Sequence, residues 1–168
     1  MEPVELREGD LLLRPWRADD ADAVTAAMQD PAIHRWGGRF PSPFTHDDAV
    51  EHIERAIREW ADETATPLAV VDPGTGELLG SAGLSQLHRR QGSAEITYWT
   101  VAQARGRGIA VGAGRAVLRW AQTELGLHRV GWRAEVGNHA SRLVAARLGF
   151  QFEGIRRGEL PALSLIHI

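Results

Sequence analysis

The sequence predicts an α/β domain, a mixed and twisted sheet flanked by helices, and three observations predict it. Residues 94–101 read as a strand that runs through a glycine turn, 105–110, straight into a helical stretch. Ala49, Val50, Ile53, Ala56, Ile57 and Trp60 recur at helical spacing and mark an amphipathic helix over 46–61. Apolar runs at 67–71 and 78–87 flank Asp72-Pro73-Gly74-Thr75-Gly76, the chemistry of a hairpin turn. A chain of 168 residues suits one domain and buries roughly 70% of its unfolded surface.

In chain order, 11–16 is the first expected strand, and Asp19 or Asp20 caps a short helix that ends by Asp30-Pro31. Residues 33–41 lack periodicity and read as an ordered, adjustable loop in which Trp36 and Phe40 either plug the core edge or wall a substrate. Thr45-x-x-Asp48 is a capping box for the helix over 46–61. The helix after the glycine turn spans 108–125, with Ile109, Ala113, Ala116, Val117 and Trp120 on one face and Gly126 as its stop. Gly112 and Gly114 each cost it about 1 kcal/mol, which points to close packing near a ligand. Val130, Trp132, Ala134 and Val136 alternate as a strand, Asn138 caps a helix through Leu148, and 150–155 begins a further strand.

The glycine turn is an anion cradle by construction. Glycines let the backbone approach a ligand closely, and the helix that follows opens with unpaired N–H groups at the positive end of its dipole. A phosphate or pyrophosphate fits such an end. A P-loop would need Lys before Ser or Thr, and the chain has no Lys. A dinucleotide fingerprint would need a third Gly where Val111 stands.

Composition excludes other classes. A net charge of −3 exerts no pull toward nucleic acid or an anionic membrane. Without Cys there is no disulfide framework and no thiolate, in keeping with a cytoplasmic setting. No leader or membrane-spanning run is legible, and the seven His form no metal-ligand spacing, so no metal is expected. Surface or capping positions suit these His, and the pairs Arg89-Arg90 and Arg156-Arg157 read as solvated.

Arg105-x-x-Gly108-x-Ala110 resembles the Gln/Arg-x-x-Gly-x-Gly/Ala signature of the GNAT superfamily of acetyl-CoA-dependent N-acetyltransferases. Ala94-Glu95-Ile96 upstream resembles the strand before that signature. Asn138-His139-Ala140-Ser141, Leu148-Gly149-Phe150 and Glu153-Gly154 resemble the second CoA-contacting segment. Leu12-Leu13-Arg14-Pro15-Trp16-Arg17 with Asp19-Asp20-Ala21 is similar to the RimJ/RimL branch, which acetylates ribosomal-protein N-termini. The resemblance implies the GNAT fold with acetyl-CoA as co-substrate. It assigns Arg105, Gly106, Arg107, Gly108, Ile109, Ala110 and Gly112 to the pyrophosphate, Thr100 and Val101 to the pantetheine amides, and Asn138 and Ser141 to the second contact. It also implies an amine acceptor and a homodimer.

The resemblance makes Glu95 the candidate general base and Ser141 the candidate acid for the departing thiolate. A structural hydrogen-bond role for Glu95 and simple capping by Asn138 are the competing readings. The tyrosine that many relatives carry for the acid role falls at Ala145 here. A protein N-terminus is the expected acceptor, a small amine the alternative, and a catalytically impaired CoA-binding module the competing class. The single domain is expected over 1–162, lacking the family's last strand. Leu163-Ser164-Leu165-Ile166-His167-Ile168 matches the translation of a sequencing-adaptor end and is expected to be a non-native tail.

Overall fold

The computed structural model describes residues 1–36 and 40–156. The expected tail, Arg157 and the loop residues 37–39 lie outside the described residues. Among the described residues, six strands form one sheet in simple chain order: β1 (Leu6–Glu8), β2 (Leu11–Arg14), β3 (Leu68–Val71), β4 (Leu78–His88), β5 (Ser93–Thr100) and β6 (Arg129–Gly131). Neighbours are antiparallel except β5 and β6, which are parallel. A parallel pair needs a crossover, and the helix after the glycine turn provides it.

Five α-helices among the described residues cover the sheet: α1 (Ala21–Ala27), α2 (Pro31–Trp36), α3 (His46–Ala61), α4 (Ile109–Thr123) and α5 (His139–Arg147). The helix over 46–61 appears as expected, with Thr45 and Asp48 closing the capping box. Strand alternation then builds two cores. Leu13, Leu68, Val70, Ala82, Leu84 and Ile96 meet Ile109, Ala113, Val117 and Trp120 of α4 on one side. Trp16, Val24, Met28, Ile53, Ala69 and Val71 gather α1 and α3 on the other. The buried pair Arg14–Asp20, at 2.7 Å, pins the end of β2 to the start of α1.

Four expectations change. The strand β1 precedes the first one expected, which itself stops at Arg14 instead of Trp16. Residues 31–36 form α2, because Asp30 accepts from Ala32 N at 2.8 Å and starts a turn that the missing apolar period concealed. The strand expected over 130–136 is confined to Arg129–Gly131: Trp132 turns its indole to a helix and Arg133 to a carboxylate, so alternation there does not report pairing. Residues 150–155, expected to begin a strand, have no strand conformation, and none follows β6 among the described residues.

Candidate functional site

Where β5 ends, Val101 N still donates to Leu79 O at 3.0 Å, and one 3-10 turn at Ala102–Ala104 carries the chain to Arg105. Gly106 and Gly108 have φ of 74° and 80°, left-handed values that favour glycine, and Gly108 is the N-cap residue of α4. Its carbonyl accepts from Gly112 N at 2.9 Å, the first bond of the helix. The N–H groups of Ile109, Ala110 and Val111 therefore have no intrahelical partner. A helix start with three such donors, behind the exposed turn Arg105 to Gly108, forms the expected anion cradle.

Two residues assigned to it by the resemblance are engaged elsewhere. The Gly112 N–H is spent in the helix. A Cβ there would meet Leu11 Cδ1 at 2.9 Å, and one at Gly114 would meet Leu148 Cδ1 at 2.6 Å. Both glycines thus allow close packing, Gly112 against β2 and Gly114 against the end of α5. The Arg105 guanidinium is ion-paired with Asp30, tying the cradle to the turn between α1 and α2.

Beside the cradle the sheet splays. The β5–β6 register covers only Ser93↔Arg129, Ala94↔Val130 and Glu95↔Gly131. From Ile96 to Thr100 the β5 edge on that side has no strand partner among the described residues. An extended molecule bearing amides could pair with it.

The two faces of β5 differ in chemistry. Glu95, Thr97 and Trp99 share one face, as alternation requires. Arg133 grips Glu95 Oε2 through Nε at 2.9 Å and a terminal nitrogen at 2.8 Å; no partner for Oε1 is found among the described residues. Around Trp99 stands an aromatic wall: Trp99 stacks on Trp16 with centroids 6.3 Å apart, Trp16 meets His52 edge-on at 5.7 Å, and Phe40 bridges His52 and Phe44. Phe40 therefore belongs to this wall, whereas Trp36 lies on α2 outside it. His52 departs from the expected surface position. Burial, helped by Arg55, lowers its pKa to about 4, so it is neutral and too weak a base for an ammonium. Arg55 lies 3.0 Å from its Nδ1, and hydrogen bonding thus assigns the ring proton to Nε2.

The opposite face carries Tyr98, the chain's only tyrosine. Its hydroxyl donates to Ser141 O at 3.0 Å and accepts from Ser141 Oγ at 3.3 Å, and Ser141 Oγ accepts from Trp132 Nε1 at 3.2 Å. Burial raises the Tyr98 pKa above its ordinary value although Ser141 and Trp132 pull the other way. Asn138 caps α5 by accepting from Ser141 N at 3.1 Å, so its capping role is met by direct geometry. Ala145 is buried and offers no hydroxyl.

Finally, α2 reaches the far arm of the cleft. Arg35 pairs with Glu135 at 3.4 Å, and Trp36 approaches Gly137. Sequence reasoning missed Arg133, Asp30 and Tyr98. Only Tyr98 had a legible signal, being the alternate of Glu95 on a strand next to the cradle. No group of three or more potential metal ligands, and no helix long and apolar enough to cross a membrane, occurs among the described residues.

A family model described as an acetyltransferase (GNAT) domain matches residues 10–151. YdaF of Bacillus subtilis (strain 168), named as a ribosomal N-acetyltransferase, is 39% identical over 122 residues, or 71% of this chain and 66% of that protein. The match therefore spans just under two thirds of YdaF. A solved structure of a protein named as an acetyltransferase is 30% identical, with a TM-score of 0.85 over 96% of this chain and 91% of that one. Mycobacterium smegmatis RimJ, solved in complex with CoA-disulfide, is 26% identical, with a TM-score of 0.78 over 92% of this chain and 80% of its own.

Proposed function

The chain belongs to the GNAT acetyltransferase family, and from that premise we propose that it moves the acetyl group of acetyl-CoA to a protein N-terminal α-amino group. The observation that carries the co-substrate is the juxtaposition of the cradle with the unpaired edge of β5. Ile109, Ala110 and Val111 N–H, with those of Gly106 to Gly108 and the Arg107 charge, would hold the pyrophosphate. The edge near Thr100 would pair the pantetheine amides, Val101 being engaged with Leu79 and Ala104, and Asn138 and Ser141 would meet the arm from the other side. Acetyl-CoA supplies an activated acyl group as a thioester. A β5 main-chain N–H polarises that carbonyl, an oxyanion-type contribution.

The names of YdaF and RimJ support a ribosomal-protein acceptor, and that acceptor implies a cytoplasmic setting. Chemistry favours it as well. An α-amine near pKa 8 costs about 1 kcal/mol to deprotonate at pH 7, against roughly 4 to 5 kcal/mol for a Lys side chain. Glu95 serves as base through Oε1, with Arg133 fixing the carboxylate, and the Trp99 wall receives the acceptor's first residue. The test is thermal unfolding with acetyl-CoA, followed by CoA release with a panel of short peptides bearing free N-termini. At a hundred times the dissociation constant, acetyl-CoA should add about 2.7 kcal/mol, and Arg107→Glu should lose most of that shift. A clean melt without any shift in the parent counts against the co-substrate; binding without turnover on any peptide leaves a CoA-binding module instead.

A further inference from the structure

Both arms of the cleft are tied to one short helix, α2, and each end of it is held by charge. Asp30 satisfies its first turn. Pro31 has no N–H to place; Asp30 Oδ1 accepts from Ala32 N at 2.8 Å, and Asp30 O accepts from Ile33 N at 3.0 Å and His34 N at 3.3 Å. The other carboxylate oxygen, Oδ2, takes the Arg105 guanidinium. One carboxylate therefore fixes both the start of α2 and the residue that opens the glycine turn of the cradle. It is the more sheltered partner, with 16% of its side chain exposed against 42% for Arg105. At its other end α2 meets the far arm: Arg35 pairs with Glu135 at 3.4 Å, and Trp36 Cη2 lies 3.6 Å from where a Cβ on Gly137 would stand. Glu135 O accepts from Asn138 N at 3.1 Å, and the Asn138 side chain caps α5. Between its ends α2 has little freedom, because Ile33 is buried and His34 Nε2 donates to Met28 O at 2.6 Å.

We infer that Asp30 is a positioning residue for acetyl-CoA, and that α2 is a tie bar through which an occupied cradle steadies the far arm of the cleft. The inference rests on the proposed acetyl-CoA reading and is independent of the acceptor. The helix behind the cradle is backed by the core, whereas α5 buries only Ala145 and is the element that opens at lower cost. A phosphate that gathers the N–H groups after Arg105 holds the glycine turn in one conformation. Arg105 then keeps Asp30 in place, Asp30 keeps α2 in place, and Arg35 keeps its hold on Glu135. The closed far arm is the state that these contacts favour. Coupling of this kind is reciprocal: an arm held by α2 raises the affinity of the cradle by the same factor as the phosphate steadies the arm. The pair at the far end, Arg35–Glu135, is partly exposed, which limits that factor to about threefold to fivefold.

The experiment uses adenosine 3′-phosphate 5′-diphosphate, the nucleotide half of acetyl-CoA, which carries the pyrophosphate but no pantetheine to touch Asn138 or Ser141. Its affinity is measured by calorimetry, and amide exchange over 135–147 is followed with and without it, in the parent, Arg35→Ala, Asp30→Asn, Arg105→Gln and the Asp30→Asn/Arg105→Gln double variant. In the parent, exchange there should slow about threefold to fivefold at saturation. In Arg35→Ala it should not change, and affinity should fall by that same factor although the substitution lies at the far end of α2. Asp30→Asn should bind about tenfold more weakly, and the double variant should bind no more weakly than the weaker single variant. Melts without ligand establish that each variant folds; where Asp30→Asn does not, Arg35→Ala carries the test. Binding by the parent without slower exchange, equal slowing in Arg35→Ala, or a parent that binds acetyl-CoA but not its nucleotide half would overturn the inference. Tighter binding by Asp30→Asn would overturn it as well, by showing that Asp30 holds Arg105 away from the phosphates. A parent that binds neither compound overturns the co-substrate reading itself, and the inference falls with it.

Discussion

The two arms of the cleft are built on different scales of burial. On the cradle side, α4 buries Ile109, Val111, Ala113, Gly114, Ala116, Val117, Trp120 and Ala121, more than half its length, against one face of the six-stranded sheet. On the far side, α5 buries only Ala145, and Leu143, Phe152 and Val136 are 53%, 68% and 78% exposed. The far arm is held instead by individual polar ties: Arg133 to Glu95, Arg35 to Glu135, Arg129 to Glu153 and Ser141 to Tyr98. The difference teaches that the helix behind the anion cradle belongs to the cooperative core, while the side proposed to meet the pantetheine should open at lower cost.

The strongest way to break this comparison is Trp120→Ala. Trp120 packs on Trp60 with centroids 5.7 Å apart, and truncation should cost about 3 to 5 kcal/mol of global stability by chemical denaturation. A loss under 1 kcal/mol would mean that α4 is not part of the core.

Acid attacks the same body by another route. His52, on α3, is depressed from 6.5 to about 4 chiefly by burial. The unfolded chain therefore takes up a proton first as pH falls. Stability from this group is complete above about pH 6.5 and is lost on the way down to about 4, roughly 3 kcal/mol in all. Asp20 adds to the loss at lower pH. Burial raises its carboxyl, but hydrogen bonds from Arg14 and Arg17 N outweigh that and hold it below the ordinary value. Urea midpoints across this range should fall smoothly for the parent, and His52→Phe should flatten the limb above pH 4.

The far arm should answer to smaller changes and answer locally. Asn138→Ala removes the α5 cap and should cost about 1 kcal/mol. Amide exchange in α5 should accelerate about fivefold while α4 amides and the global midpoint stay put. Smallest of all, Leu143→Ala on the exposed face of α5 should change stability by less than about 0.5 kcal/mol. A larger loss would show that α5 is covered in solution.

Legibility followed the same division. The cradle was readable because its parts are consecutive: a strand, glycines at positive φ and a helix start, all within 93–112. The capping pairs Thr45–Asp48 and Asn138–Ser141 were readable for the same reason, each being three residues apart. Alternation placed Glu95 with Trp99, but the same rule misread 132–136, because polar ties rather than a neighbouring strand set the conformation after Gly131. The helix over 31–36 was hidden because a single turn buries only Ile33 and leaves no apolar period.

By itself, then, the sequence determined what lies within one turn or one strand: dihedral preferences, caps, face alternation and the electropositive helix start. Only the tertiary structure decided which distant groups meet. Arg133 reaches Glu95 across 38 residues, Asp30 takes Arg105 across 75, and Tyr98 finds Ser141 across 43. Local geometry follows from bonded sterics and short-range hydrogen bonds that each residue carries with it. Pairings over tens of residues depend on how the sheet splays and where the helices settle, which is set by the packing of the whole core.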